Sequence, residues 1–192
     1  EIVSGKLNVV HGDVNIGING DGFSVLLSRA EGGIVSLAYN GKEYITRTPK
    51  TTFWRAMTDN DRGVKHGFDR GVWLQAGLYQ KLVDVNVKEE LSEITVSFKW
   101  KLPLAKEVYN VISYTVTPDG KVKVTAKYFG VDGLPSLPAY GYELKLKRKY
   151  NQYKFYGLGP DENYIDRDNG VKLGIYEGDA DTNLAPYLVP QE

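Results

Sequence analysis

Alternation of apolar and polar residues runs through most of this chain. Phe23, Val25 and Leu27 fall on one face of an extended segment, and Ile34 to Tyr39 follows after the Glu31-Gly32-Gly33 break. Asn40-Gly41 then supplies the strongest short hairpin signal, because both residues accept the positive φ of a type I′ turn. Lys42 to Thr46 forms the return strand. Val83, Val85 and Val87 alternate, as do Ile94, Val96, Phe98 and Trp100. Glu107 to Thr117 and Lys121 to Phe129 flank Pro118-Asp119-Gly120, in which Pro presets φ and Gly takes the left-handed position. Tyr142, Leu144 and Leu146 point opposite to Lys145, Lys147 and Lys149, which predicts a strand with one wet face. Tyr153 to Leu158 and Val171 to Tyr176 complete a set of nine or ten strands.

Turns rather than helical crossovers separate these segments, so the pattern predicts an all-β fold, a large antiparallel β-sandwich. One short helix is expected near Asp69 to Gln80, where Leu74 and Leu78 are four apart and Asp69 could cap. Gly71 and Gly77 limit its length. No internal repeat, low-complexity segment or linker divides the chain, which reads as a single domain over residues 1–192. Two stretches break the alternation, Thr51 to Gly63 and Tyr156 to Arg167. Both are dense in charge and aromatic rings, and loops of that makeup on a rigid scaffold are where function usually sits.

Composition narrows the classes. The 24 basic residues balance 24 acidic ones without a long run of either sign, which argues against nucleic acid and anionic membranes as partners. No apolar run of about 20 residues is present to span a bilayer. With no cysteine there is no disulfide, thiol nucleophile or Cys-ligated zinc, and the compartment, cytoplasmic or periplasmic, stays open. Fourteen Tyr, six Phe and three Trp suit sugar faces, but the same rings suit strands.

Glycoside hydrolysis requires two carboxyl groups on one bond. Asp59 with Asp61, and Asp161 with Glu162, are the available pairs. Asp59 and Asp61 could share a face in an extended segment, yet Asp-Asn-Asp before Arg-Gly also reads as a tight turn held by Asx hydrogen bonds. Asp161 and Glu162 follow Pro160 and fit the acidic first turn of a short helix. The stretch from Asp59 imitates the start of a calcium loop, but Arg70 stands where its bidentate Glu belongs. His11 and His66 lie in no triad or metal-binding context; His66, near the Asp59 loop, reads either as a solvated histidine or as a base working with Asp59 or Asp61. Arg55, Arg62 and Arg167 each sit among carboxylates of their own loop. Ion pairs that stiffen the loop are one outcome, and a sugar-hydroxyl network with Trp54 or Tyr164 stacked on the pyranose is the other.

The segment from Phe53 to Gly63 (FWRAMTDNDRG) resembles the FWRAPTDND-G signature of the small-chain domain of family 2 β-galactosidases, with Met57 replacing the usual Pro. Tyr156 to Arg167 (YGLGPDENYIDR) is similar to that family's YG-GP-ENYPDR segment, with Ile165 replacing Pro. Tyr176-Glu177 and Pro186 to Glu192 continue the pattern in order, so the resemblance runs from about residue 20 to the end. It implies a galactose-mutarotase-like supersandwich, truncated at its C-terminal side, from a larger enzyme that hydrolyses terminal β-galactosides. In the family the catalytic glutamates and magnesium ligands belong to a separate barrel, so no catalytic residue and no metal is expected here, while magnesium is implied for the parent. The implied partners are the parent's other domains, a galactoside at the edge, and further copies in an oligomer. The residues that would line the active-site rim or touch carbohydrate are Trp54, Arg55, Asp59, Asn60, Asp61, Arg62, Glu162, Asn163, Tyr164 and Arg167. A free-standing carbohydrate-binding module and an aldose 1-epimerase are the competing functions.

Overall fold

The computed structural model of the chain describes residues 5–161, 163 and 169–183. They fall into two compact units, one running to Leu146 and one beginning at Lys147.

The first unit opens with a five-stranded antiparallel sheet in chain order: β1 (Asn8–His11), β2 (Asn15–Gly20), β3 (Phe23–Ser28), β4 (Gly33–Tyr39) and β5 (Lys42–Glu43). The β4–β5 turn is the expected one, with Asn40 at φ 49° and Gly41 at φ 73°. β6 (Ile45–Thr52) then leads into three short helices, α1 (Asp59–Gly63), α2 (His66–Asp69) and α3 (Val72–Leu78). A meander of β7 (Lys81–Glu89), β8 (Ile94–Lys101), β9 (Tyr109–Val116) and β10 (Val122–Phe129) forms the second sheet, and β11 (Gly141–Leu146) returns to pair with β6.

The main core lies where the inward faces of these sheets meet. Ile16, Ile18, Val25 and Leu27 from β2 and β3 pack with Val96, Phe98, Ile112 and Tyr114 from β8 and β9, all with at most 1% of their surface exposed. The buried Tyr114 hydroxyl accepts a hydrogen bond from the Tyr142 hydroxyl at 2.9 Å, and burial pushes its pKa well above the usual tyrosine range. On the opposite face, Thr95 pairs with Thr115 and Ser97 with Ser113 through hydroxyl contacts of 2.8 Å. Alternation therefore separates a dry side from a wet one, as the sequence predicts.

Several expectations are corrected. Thirteen strands are present among the described residues, against nine or ten expected. β1 is only four residues long and β2 carries too much Asn and Gly to advertise itself, yet Ile16 and Ile18 of β2 are fully buried. The single helix becomes three, and Asp69 ends α2 rather than capping a longer one; Gly71 precedes α3 without a side-chain cap. The buried residues of α3 are Trp73 and Ala76, whereas Leu74 and Leu78 face outward. Trp73 wins because its ring stacks on Phe53 and its Nε1–H donates to the Pro135 carbonyl at 3.1 Å. Alternation in β11 predicts one hidden face, but Leu144 and Leu146 remain 50% and 45% exposed, since the described part of this unit offers nothing to cover them.

The second unit contains a hairpin, β12 (Gln152–Gly159) with β13 (Lys172–Asp179), paired from Gln152 opposite Asp179 to Gly159 opposite Lys172. Phe155 lies 6.3 Å from Tyr153 and 5.5 Å from Tyr176, ring centre to ring centre, so one face carries an aromatic row. Asp161 sits in a bend after Pro160 and Asn163 lies in neither helix nor strand; Glu162, the other carboxylate of the short acidic helix expected there, lies outside the described residues.

Phe98 fills the centre of the main core with no solvent contact. Phe98→Ala should lower unfolding free energy by about 3–5 kcal/mol, read as an earlier urea midpoint with an unchanged m-value.

Candidate functional site: the loop and helices after β6

The chain leaving β6 is fixed by burial before any polar contact forms. Phe53 is fully buried and stacks on Trp73 with centroids 6.1 Å apart and planes tilted by 23°. It anchors a second core with Ala76, Leu102 and Val108. Thr52 Oγ1 donates to the Trp54 carbonyl at 3.1 Å and accepts from the Trp54 N–H at 3.3 Å, leaving the indole half-buried at the surface.

Beyond that anchor, Asp61 organises the loop. Thr58 is the N-cap of α1, and its hydroxyl accepts from the Asp61 N–H at 3.3 Å while Asp61 Oδ2 accepts from the Thr58 N–H at 3.1 Å. This is a capping box in which Asp takes the usual place of Glu. The same carboxylate lies 2.7 Å from Arg55 Nη1 and 3.0 Å from His66 Nδ1. Lys65, in the left-handed region at φ 58°, turns the chain between α1 and α2 and brings His66 back. Arg55 also donates to the Ala56 carbonyl at 2.9 Å, and Arg62 Nη1 donates to the Met57 carbonyl at 3.0 Å.

Burial of Asp61 disfavours its charge, but hydrogen bonds from His66 and Thr58 together with the Arg55 charge win and bring its pKa down to about 2. A carboxylate held this low and saturated with donors is a poor proton acceptor at neutral pH. The space enclosed by Trp54, Arg55, Met57, Asp61, His66 and Pro138 is about 10 Å³, room for one water and far too small for a sugar ring. The chemistry available here is locking, not proton transfer.

The structure therefore brings Trp54, Arg55, Asn60, Asp61 and Arg62 into one segment, with Asn60 and Arg55 at the surface. The turn reading of Asp59 to Gly63 comes closest, since the segment is a single helical turn held by a side-chain-to-backbone bond rather than an extended strand. Asp59 lies in that turn. Asn163 belongs to the second unit, where its Nδ2 donates to the Leu158 carbonyl at 3.1 Å. Glu162, Tyr164 and Arg167 lie outside the described residues. His66 is the residue the sequence undervalued: its five-residue distance from Asp61 is the only hint, and it acts through a left-handed turn that no local pattern announces. Among the described residues no three His, Asp or Glu side chains converge in a way that could hold a metal, so magnesium finds no fitting ligand set there.

An antiparallel β-sandwich whose polar loop is knotted shut describes a structural domain more readily than a catalytic centre. The chain belongs to the Beta galactosidase small chain family, which it matches over residues 19–192. It is 52% identical over 172 residues to a beta-galactosidase of Clostridium acetobutylicum, an alignment covering 90% of this chain and 19% of that protein. It is 43% identical to a beta-galactosidase of Halalkalibacterium halodurans, over 98% of this chain and 19% of the relative. A beta-galactosidase small subunit of Latilactobacillus sakei is 34% identical, with 97% of this chain and 64% of that subunit aligned. The chain thus spans about a fifth of the length of the first two relatives.

Because Asp61 has a folded pKa of about 2, below the unfolded value near 3.9, its contribution to stability is present above pH ~4 and fades as the pH falls toward 2. Asp61→Asn should remove about 1–2 kcal/mol at pH 7, allowing for solvent screening at Arg55, and should flatten the acid limb of stability over that window. Urea titrations from pH 7 to pH 2 read both effects; parallel acid limbs for the two proteins would refute the assignment.

Proposed function

We propose that this chain serves as a non-catalytic domain of a β-galactosidase, a longer protein that removes terminal non-reducing β-D-galactose residues. The carrying observation is the family membership, together with relatives named beta-galactosidase of which the chain spans about a fifth. The geometry supports the non-catalytic part, because Asp61, a leading carboxylate candidate, is consumed by the capping box, Arg55 and His66. Hydrolysis needs an acid and a nucleophile or base free to face the sugar, and the parent would supply them from other domains. Magnesium, expected of the parent, would likewise be held outside the described residues.

Within that enzyme the domain walls the mouth of the active site and packs the assembly, which includes further copies of the polypeptide. Trp54 is the residue best placed to meet a galactoside at the edge, since its half-buried ring reaches the surface and its backbone is fixed by Thr52. Arg55, Asp61 and Arg62 hold its loop, and Asp59 and Asn60 shape the turn; Glu162, Asn163, Tyr164 and Arg167 are further rim candidates on the resemblance of their own segment alone.

The purified 192-residue chain is expected to leave a chromogenic β-galactoside intact while the full-length protein cleaves it. Turnover by the purified chain that vanishes in Asp61→Asn would overturn the proposal. In the full-length protein, Trp54→Ala should raise KM about 3–10-fold with kcat little changed, as expected for a lost sugar contact of about 1 kcal/mol. Unchanged KM would remove Trp54 from the rim.

A further inference from the structure

The outer face of the β6–β11 pair carries charge that its own unit does not answer. Residues three apart on a regular strand point to opposite faces, so Arg47 and Lys50 should diverge. A bulge prevents this. Lys50 pairs with Glu143 and Arg47 with Lys145, three steps along β6 against two along β11. The intervening Thr48 and Pro49 are both buried, and both cations return to the exposed side. Proline suits that position because it has no N–H to give to the ladder.

The result is a face with three exposed cations, Arg47, Lys50 and Lys145, against one carboxylate, Glu143. Lys145 stands directly opposite Arg47, a cross-strand arrangement of like charges that destabilises a sheet left to itself. None of the three cations forms an ion pair with a described residue. Beside this face, β6 and α3 enclose a cleft of about 370 Å³. Its wall includes the half-buried Trp54 and the outward leucines of α3, Leu74 at 42% and Leu78 at 65% exposure. An apolar strip rimmed by unanswered charge is the mark of a surface made to be covered.

We infer that this face docks an acidic segment with apolar anchors, supplied by the remainder of the longer polypeptide. Its anchors rest on Leu74 and Leu78, and its carboxylates meet Arg47, Lys50 and Lys145, leaving the ring of Trp54 at the cleft edge uncovered. Chemistry selects this occupant over two others. A second copy meeting this face with its own would set cation against cation. A neutral sugar would leave three cations unanswered and has no use for two leucines. The inference rests on the proposal that the chain is one domain of a longer protein.

Brief acetylation, read by mass spectrometry in the isolated chain and in the full-length protein, tests it without a substitution. Lys50 and Lys145 should react at least tenfold more slowly in the full-length protein. Zero-length carbodiimide coupling should then join one of these amines to an Asp or Glu outside residues 1–192. Equal acetylation rates would overturn the inference. So would links confined to residues 1–192 of another copy, or protection that appears only when millimolar galactose or lactose is added. β-Galactosidase activity measured on the same sample separates the two proposals: an active protein with unprotected lysines refutes the docking face alone, and an inactive one with the expected links refutes the enzymatic reading alone.

Discussion

Phe53 and Trp73 stack 6.1 Å apart, both sealed from solvent, at the point where β6 gives way to the helices. That contact fixes where the loop starts and how α3 lies. With Phe53 buried, the next residue, Trp54, is carried to the surface, and the chain beyond it must travel along the outside of the sandwich. With Trp73 buried, α3 turns Ala76 inward, and Leu74 and Leu78 have only the outside left. Tyr128 packs edge-on against both rings, so the contact also ties the helices to the second sheet. Aromatic burial on this scale outweighs helix propensity, and seven residues with two glycines nearby would not hold a helix unaided.

Asp61 does for the polar half of the loop what Phe53 does for the apolar half. One carboxylate collects a backbone amide, a guanidinium and an imidazole, so three segments of chain are held by a single charge. The arrangement uses residue types that elsewhere would suggest catalysis. Its geometry argues for rigidity, since a charge held by three donors gains nothing by accepting a proton. Family membership makes the chain a beta-galactosidase small chain, and the local chemistry makes its loop rigid.

Much of this was legible in the sequence because sheets write their faces at every second residue. Ile94 to Trp100 and the Asn40-Gly41 turn needed nothing beyond local rules, and the order of two loop motifs was enough to suggest the family. Legibility failed where a choice was tertiary. Local pattern cannot say that Trp73 rather than Leu74 faces inward, because that depends on Phe53 twenty residues earlier. It offers Asp59 or Asp61 as a partner for His66 but cannot choose between that contact and a solvated ring, because a left-handed Lys65 lies between them. Nor can it see that Arg47 and Lys50 share a face, since a bulge is defined by the partner strand. The wet-face rule failed on β11 for a related reason: alternation states which side is apolar, not whether anything lies over it.

The bulge at Thr48 and Pro49 also works as a register stop. A two-stranded ribbon can in principle slip by one residue, and such a slip exchanges its inner and outer faces. For β6 it would drive the guanidinium of Arg47 into the space that Thr48 and Pro49 fill, stranding a charge in an apolar layer, and would demand an amide hydrogen that Pro49 lacks. The irregularity thus acts as a latch against sliding, so a strand pair with one poorly covered face can persist without becoming a template for mispairing.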